Sequence, residues 1–159
     1  MGNTIKARDI NGNSHSYNKD EFGITVSAYG LATDSKKLLL IREKVSKKLS
    51  LPGGEINFEE DIIEGLKREF KEETSLEVLE TKIIDAGTDL FNHPTLGLVK
   101  SYLLFYCVAL KDYKIMNTYE PDVSWVDWVL FKTLDFTQIH SIFHNVIKSE
   151  CLKKKVSLF

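Results

Sequence analysis

Runs of apolar residues and their spacing divide the chain before any motif is sought. Short mixed segments flank Asn11-Gly12 within residues 6–17, and an Asn-Gly pair in that setting predicts a β-hairpin at the N-terminus. Residues 23–33 are rich in β-branched and aromatic side chains and suit a core strand. Asp34-Ser35 then turns the chain into a second buried strand over residues 37–42. Leu51-Pro52-Gly53-Gly54 breaks the pattern, because proline removes a donor and glycine permits backbone angles closed to other residues; a loop is expected there. Ile62, Ile63, Leu66 and Phe70 recur at helical spacing, which predicts a helix from about Phe58 to Glu73, capped by Asn57 with Glu60 and ending near Thr74-Ser75. Further strands are expected at residues 76–86, 102–110 and 124–131, with loops at 87–97 and 111–122. Phe136, Ile139, Ile142, Phe143 and Val146 keep helical register and predict a closing amphipathic helix over residues 134–153. This order of elements implies an α+β or mixed α/β layer fold.

Composition narrows the setting. At 159 residues and 43% hydrophobic content the chain can build one sizeable core, so a single domain over residues 1–159 is expected. A net charge of -2 from 23 acidic and 21 basic residues creates no field for nucleic acid or an anionic membrane, so phosphate must be met by local groups or a metal. No segment approaches the roughly 20 apolar residues that span a bilayer, and the first residues lack a secretory apolar region; a cytoplasmic location is expected. Cys107 reads as a small buried hydrophobe. Cys151 has no assignment, and two cysteines offer no metal-ligand spacing.

The chemistry gathers on the first helix. Residues three and four apart share a helix face, so Glu69, Glu72 and Glu73 converge. Their repulsion destabilises an isolated helix, but a hard divalent cation reverses its sign, since Mg²⁺ takes oxygen ligands from one or two carboxylates, water and substrate phosphates. Gly65 lies on the same arc, where a side chain would crowd either a metal or a neighbouring segment. Arg68 can orient a carboxylate or form an ordinary surface pair. Because Lys67, Arg68 and Lys71 interleave with the acids, the trio alone also fits a solvated face.

The register of the segment separates these readings. Gly54 is followed after five residues by Glu60, and after seven more by Arg68-Glu69-Phe70-Lys71-Glu72-Glu73-Thr74-Ser75-Leu76. This string resembles the Nudix box, G-x5-E-x7-R-E-U-x-E-E-x-G-U with U a bulky apolar residue, and departs from it only at Ser75, which replaces the final glycine. The resemblance to the Nudix hydrolase family implies an α/β/α sandwich, here with an N-terminal β-hairpin. It also implies a pyrophosphohydrolase that uses Mg²⁺, with Mn²⁺ as substitute, to cleave the diphosphate linkage of a nucleoside triphosphate or other nucleoside diphosphate derivative. Carried over by position, Glu72 and Glu73 are primary metal ligands and Gly54 offers its carbonyl. Glu69 is a ligand or the general base, Glu60 supports the site, and Arg68 orients the glutamates. Ser75 stands where the glycine resembles a helix C-cap, at a cost of about 1 kcal/mol in local stability.

Beyond the box, Glu120 is the favoured additional metal-site acid, with Asp122 as the alternative. Arg42 is a candidate phosphate contact. Phe91, in the loop Leu90-Phe91-Asn92-His93-Pro94, and Tyr102 are candidates for stacking on a base, with Phe105 beside them, although Phe91 and Phe105 equally suit the core. His140 and His144, four apart, lack a third ligand and are assigned to packing or surface. The expected partner is a small-molecule nucleotide, with no stable nucleic-acid partner, and a homodimer stays open. Two alternatives stand beside this reading: a nucleotide-sensing Nudix-like domain without turnover, and a hydrolase of ADP-ribose or of RNA 5′ ends.

Overall fold

The computed structural model describes residues 2–34, 36–116 and 120–153. The chain opens with the expected hairpin, strands β1 (Thr4–Arg8) and β2 (Ser14–Asn18) in antiparallel register. Its turn is held by the Asp9 carboxylate, which accepts the N–H groups of Asn11 and Asn13 at 2.9 and 2.8 Å, and Gly12 takes the left-handed conformation with φ 86°. Strands β3 (Gly23–Leu31), β4 (Thr33–Asp34) and β5 (Lys37–Glu43) follow; Ser35 of the predicted turn lies outside the described residues.

Next come β6 (Leu49–Ser50), β7 (Gly53–Glu55) and helix α1 (Ile62–Thr74). Gly53 and Gly54 were expected in a loop, yet they pair with Tyr29 and Ala28 of β3 as a short edge strand. The helix starts four residues later than expected. Its N-cap is Asp61, whose carboxylate accepts the Ile63 N–H at 2.9 Å, whereas Asn57 and Glu60 close a separate turn ahead of it and Phe58 is fully exposed. The C-terminus falls as expected at Ser75, in the left-handed conformation with φ 62°.

Strands β8 (Val78–His93) and β9 (Gly97–Leu110) form one long antiparallel hairpin. The predicted loop over residues 87–97 is therefore reduced to residues 94–96, and Phe91 sits in a strand. Strand β10 (Val123–Leu130) lies within one residue of expectation; residues 117–119 of the preceding loop lie outside the described residues. The closing helix is half its expected length: α2 spans His144–Lys153 after a 3-10 turn at Ser141–Phe143, and Ile139 bridges to Leu49 in extended form.

The strands make a six-stranded sheet, β2-β1-β8-β9-β3-β7, and a four-stranded unit in which β10-β5-β4 is joined by β6 on β5. Leu66 and Phe70 of α1 pack with Ala28, Ala32, Leu39, Tyr106 and Val108 on one side. Phe143, Val146 and Ile147 pack with Leu31, Leu38, Leu40, Leu103 and Phe105 on the other. Alternate residues of the same strands feed the two clusters, as the two-residue period of a strand requires, and the result is the expected mixed α/β arrangement with helices on both sides. The cysteines reverse the sequence reading: Cys151 is fully buried in the α2 cluster and Cys107 only partly buried. No helix among the described residues is long and apolar enough to cross a membrane.

Candidate active site

Helix α1 aims its acids around the edge strand β7, and the packing there is close. Gly53, at φ 131°, sits so near β3 that a Cβ would fall 2.2 Å from the Ala28 carbonyl oxygen; only glycine fits. Its N–H donates to Glu73 Oε2 at 2.7 Å. At Gly54 a Cβ would meet Glu69 Oε2 at 2.9 Å, so the absence of a side chain leaves room for a carboxylate beside the main chain. Gly65 is explained by neighbour packing, because a Cβ there would reach Ile56 Cδ1 at 2.7 Å and Glu60 Oε2 at 2.8 Å.

Arg68 ties the acids together. It donates from Nε to Glu60 Oε1 at 2.8 Å and from Nη2 to Glu60 Oε2 at 2.9 Å, while Nη1 serves Glu69 and reaches Glu72 Oε2 at 3.2 Å. A forked contact of this kind fixes carboxylate orientation, which a lysine cannot do. The hydrogen bonds from Arg68 hold the Glu60 carboxyl below its ordinary range. Glu73 shows the opposite behaviour: its carboxyl end is packed round although part of the residue meets solvent. Burial, outweighing the Gly53 hydrogen bond and reinforced by the charges of Glu69, Glu43 and Glu120, pushes it well above the ordinary range. Burial raises Glu69 as well, against the pull of Arg68.

Glu69 and Glu73 open onto a cleft of about 400 Å³, whereas Glu60, Arg68 and Glu72 lie outside its lining. Glu69, Glu73, Gly53 and Gly54 form one end, and Phe91, Arg8 and His93 line another part of the wall. Of the residues singled out from sequence, Glu60, Arg68, Glu69 and Glu72 are linked directly, and Glu73 joins them through the β7 main chain. Glu120 lies close enough to raise both Glu69 and Glu73, while Asp122 lines the cleft. Two predicted contacts fall elsewhere. Arg42 donates to the Lys47 carbonyl at 2.8 Å and lies over Trp125, outside the lining. Tyr102 alternates with Ser101 and Leu103, so it faces away from the cleft, is exposed, and sits under Lys100. Phe105 is core, stacked on Tyr29.

Other lining groups carry no local sequence signal. His140 Nε2 lies 2.9 Å from Glu43 Oε2 and 3.2 Å from Ser46 Oγ, across nearly a hundred residues of chain. Burial raises the Glu43 carboxyl, but hydrogen bonds with His140, Ser46 and Ser50 outweigh it and leave the group lowered. His144 is satisfied by the Ile139 carbonyl at 3.0 Å, consistent with packing. Arg8, which lines the cleft, is paired with Asp89 outside the lining.

Among the described residues no three carboxylate, imidazole or thiol side chains are already gathered at metal-binding distance. The donor set nonetheless fits a hard divalent cation. It is all oxygen, its carboxyls repel one another, and Gly54 leaves main-chain space beside Glu69 that a Cβ would fill.

Mixed strands between helices, with a carboxylate-rich helix at an edge strand and cleft, define a mixed α/β protein with an acidic site. Residues 21–148 match the family model of the NUDIX domain, so the chain belongs to the Nudix hydrolase family and is an enzyme of that class. Solved structures share the fold. A NUDIX hydrolase from Nitrosomonas europaea superposes with a TM-score of 0.69 at 16% identity, covering 86% of this chain and 94% of that one. A MutT NUDIX hydrolase from Burkholderia pseudomallei gives 0.65 at 13%, covering 79% and 97%. The MutT protein of Methanosarcina mazei Go1 gives 0.61 at 22%, covering 85% and 98%. No curated protein matches the sequence.

Proposed function

We propose that the protein is a Mg²⁺-dependent pyrophosphohydrolase, with Mn²⁺ as a working substitute, acting on a nucleoside triphosphate or another nucleoside diphosphate derivative. The observation that carries this reading is the joining of the whole box into one unit: Arg68 fixes Glu60, Glu69 and Glu72, and Gly53 fixes Glu73, at the mouth of a cleft with room for a small molecule. Glu72 and Glu73, with Glu69 and the Gly54 carbonyl, would hold the cation. When bound it neutralises and polarises the phosphoryl oxygens. Arg68 orients the acids, Glu60 anchors Arg68, and a cleft carboxylate takes the proton of the water that attacks phosphorus while the bridging P–O bond breaks and the leaving phosphate oxygen takes its electron pair. Glu69, which accepts from Arg68 and lines the cleft, is placed for that role where it is not itself a ligand of the cation. Glu120 adds negative charge from outside the box, and Phe91 offers its ring to the base.

The test is pyrophosphate and phosphate release from a panel of nucleoside triphosphates, nucleoside diphosphate sugars and dinucleotides, with Mg²⁺, with Mn²⁺ and with chelator. Metal-dependent release from at least one nucleotide is expected. Tight nucleotide binding with no turnover under either metal would replace catalysis by sensing.

A further inference from the structure

The N-terminal hairpin lies before the residues that match the family, yet it reaches the cleft. Strand β1 runs parallel to β8 and pairs there at Arg8 and Phe91. The register sets the Arg8 guanidinium 4.3 Å from the centroid of the Phe91 ring, a stacked arrangement to which arginine is suited. Two residues back along β8, on the same face, Asp89 accepts from Arg8 Nε at 3.0 Å and from Nη2. The pair is largely shielded, with side chains 20% and 16% exposed.

This geometry says what kind of group Arg8 can meet. A guanidinium has two forks, Nε with Nη2 and Nη1 with Nη2. Asp89 occupies the first. Nη1 makes no hydrogen bond to a described residue, and Arg8 lines the cleft. The carboxylate also cancels the charge of the guanidinium, so this end of the cleft attracts a neutral acceptor rather than a phosphate. Val99 lies opposite Phe91, and Ile10 and Leu96 line the same cleft, giving apolar surface for a flat ring. The Ser101 and Thr25 hydroxyls, 2.7 Å apart, continue across the sheet from Asp89 toward β3 and the box. From β8 to β7 there are three interstrand spacings, about 14 Å, a span suited to an extended nucleotide.

We propose that Arg8, positioned by Asp89 over Phe91, is a specificity-determining residue that selects a base presenting a carbonyl oxygen over one presenting an amino group. This rests on the nucleotide-hydrolase reading above. A base carbonyl accepts from the free fork, whereas an exocyclic amino group sets donor against donor and leaves the buried fork unpaired.

The test compares inosine with adenosine triphosphate and uridine with cytidine triphosphate, pairs that exchange a carbonyl beside a ring N–H for an amino group beside a bare ring nitrogen. The wild-type protein is expected to favour the carbonyl member of each pair about tenfold in kcat/KM, mainly through KM. Arg8→Met removes the fork, and Arg8→Lys keeps a cation beside Asp89 should the methionine variant fail to fold. Either is expected to bring both ratios near one, because the carbonyl member of each pair loses more kcat/KM than the amino member. Wild-type ratios near one, or ratios unchanged in Arg8→Lys, overturn the proposal. Calorimetric binding of inosine and adenosine monophosphates separates the two readings. If no nucleotide is cleaved, hydrolysis fails, but an inosine preference lost in Arg8→Lys still supports Arg8 and equal binding overturns it.

Discussion

The two parts of the cleft wall are built on different principles. The acidic end comes mainly from one contiguous stretch, Gly53 to Glu73, in which a helix and its leading strand bring the box residues together, with Glu120 added from outside it. The Phe91 wall is assembled from β1, β8 and β9, with Arg8 and Asp89 meeting across 81 residues of sequence. Close packing around fixed glycines marks the first; the second rests on sheet register and one ion pair. Chemistry that needs carboxylates placed to within fractions of an ångström is better served by the contiguous element. A pairing between strands can change its side chains without disturbing that centre, which suits the recognition of a variable group.

The largest expected effect that sharpens this contrast comes from two glycines. Both Gly53 and Gly12 hold positive φ, but alanine at Gly53 would strike the Ala28 carbonyl and alanine at Gly12 would meet nothing within 4 Å. Gly53→Ala is expected to lower unfolding stability by roughly 3 kcal/mol and to abolish turnover, and Gly12→Ala by about 1 kcal/mol with turnover kept. Urea unfolding and a turnover assay read both. Equal losses would mean that the box end is no tighter than the hairpin.

A smaller effect concerns Glu73. Its folded-state carboxyl is raised, so the folded protein keeps that proton to higher pH than the unfolded chain. Its contribution is fully present below the unfolded range and is lost as pH rises through the folded value. In chelator at neutral pH, Glu73→Gln is therefore expected to be more stable than wild type by roughly 1 kcal/mol, while losing metal affinity. Thermal melts from pH 4 to pH 8 should show the advantage growing with pH; an advantage that shrinks would contradict the burial argument. The smallest effect is at Ser75, where glycine should relieve the left-handed C-cap and add about 0.5–1 kcal/mol with kcat unchanged. A loss of stability there would show that Ser75 is held by something other than backbone conformation.

The same contrast explains what could be read from the chain. The box was legible because its spacing is local: Arg68, Glu69, Glu72 and Glu73 lie within two helical turns, and the apolar stripe of Leu66 and Phe70 sets their face. The helix start was misplaced because Asn57 and Glu60 do form a capping-like turn, one element too early. The second half of β8 was read as a loop because Gly87, Asp89 and Asn92 are turn-forming types; pairing with β9 overrides that preference. The closing helix was overextended because Ile139, buried, and Phe136, partly buried, pack from an irregular segment that happens to keep helical spacing. Arg8, Glu43 and His140 carry no local pattern, since each acquires its partner only through tertiary pairing. Tyr102 illustrates the same limit, because one residue along a strand exchanges the cleft for the opposite face.

If the acidic end performs metal-dependent hydrolysis, loss of one ligand carboxylate must lower turnover. Steady-state kinetics of Glu72→Gln beside wild type, on the nucleotide that wild type cleaves best with Mg²⁺, tests it most directly. The substitution keeps size and hydrogen bonding at a side chain that is 47% exposed, so the fold should be intact. A fall in kcat on the order of a hundredfold is expected, together with weaker Mn²⁺ binding by calorimetry. A variant that turns over as fast as wild type would contradict it.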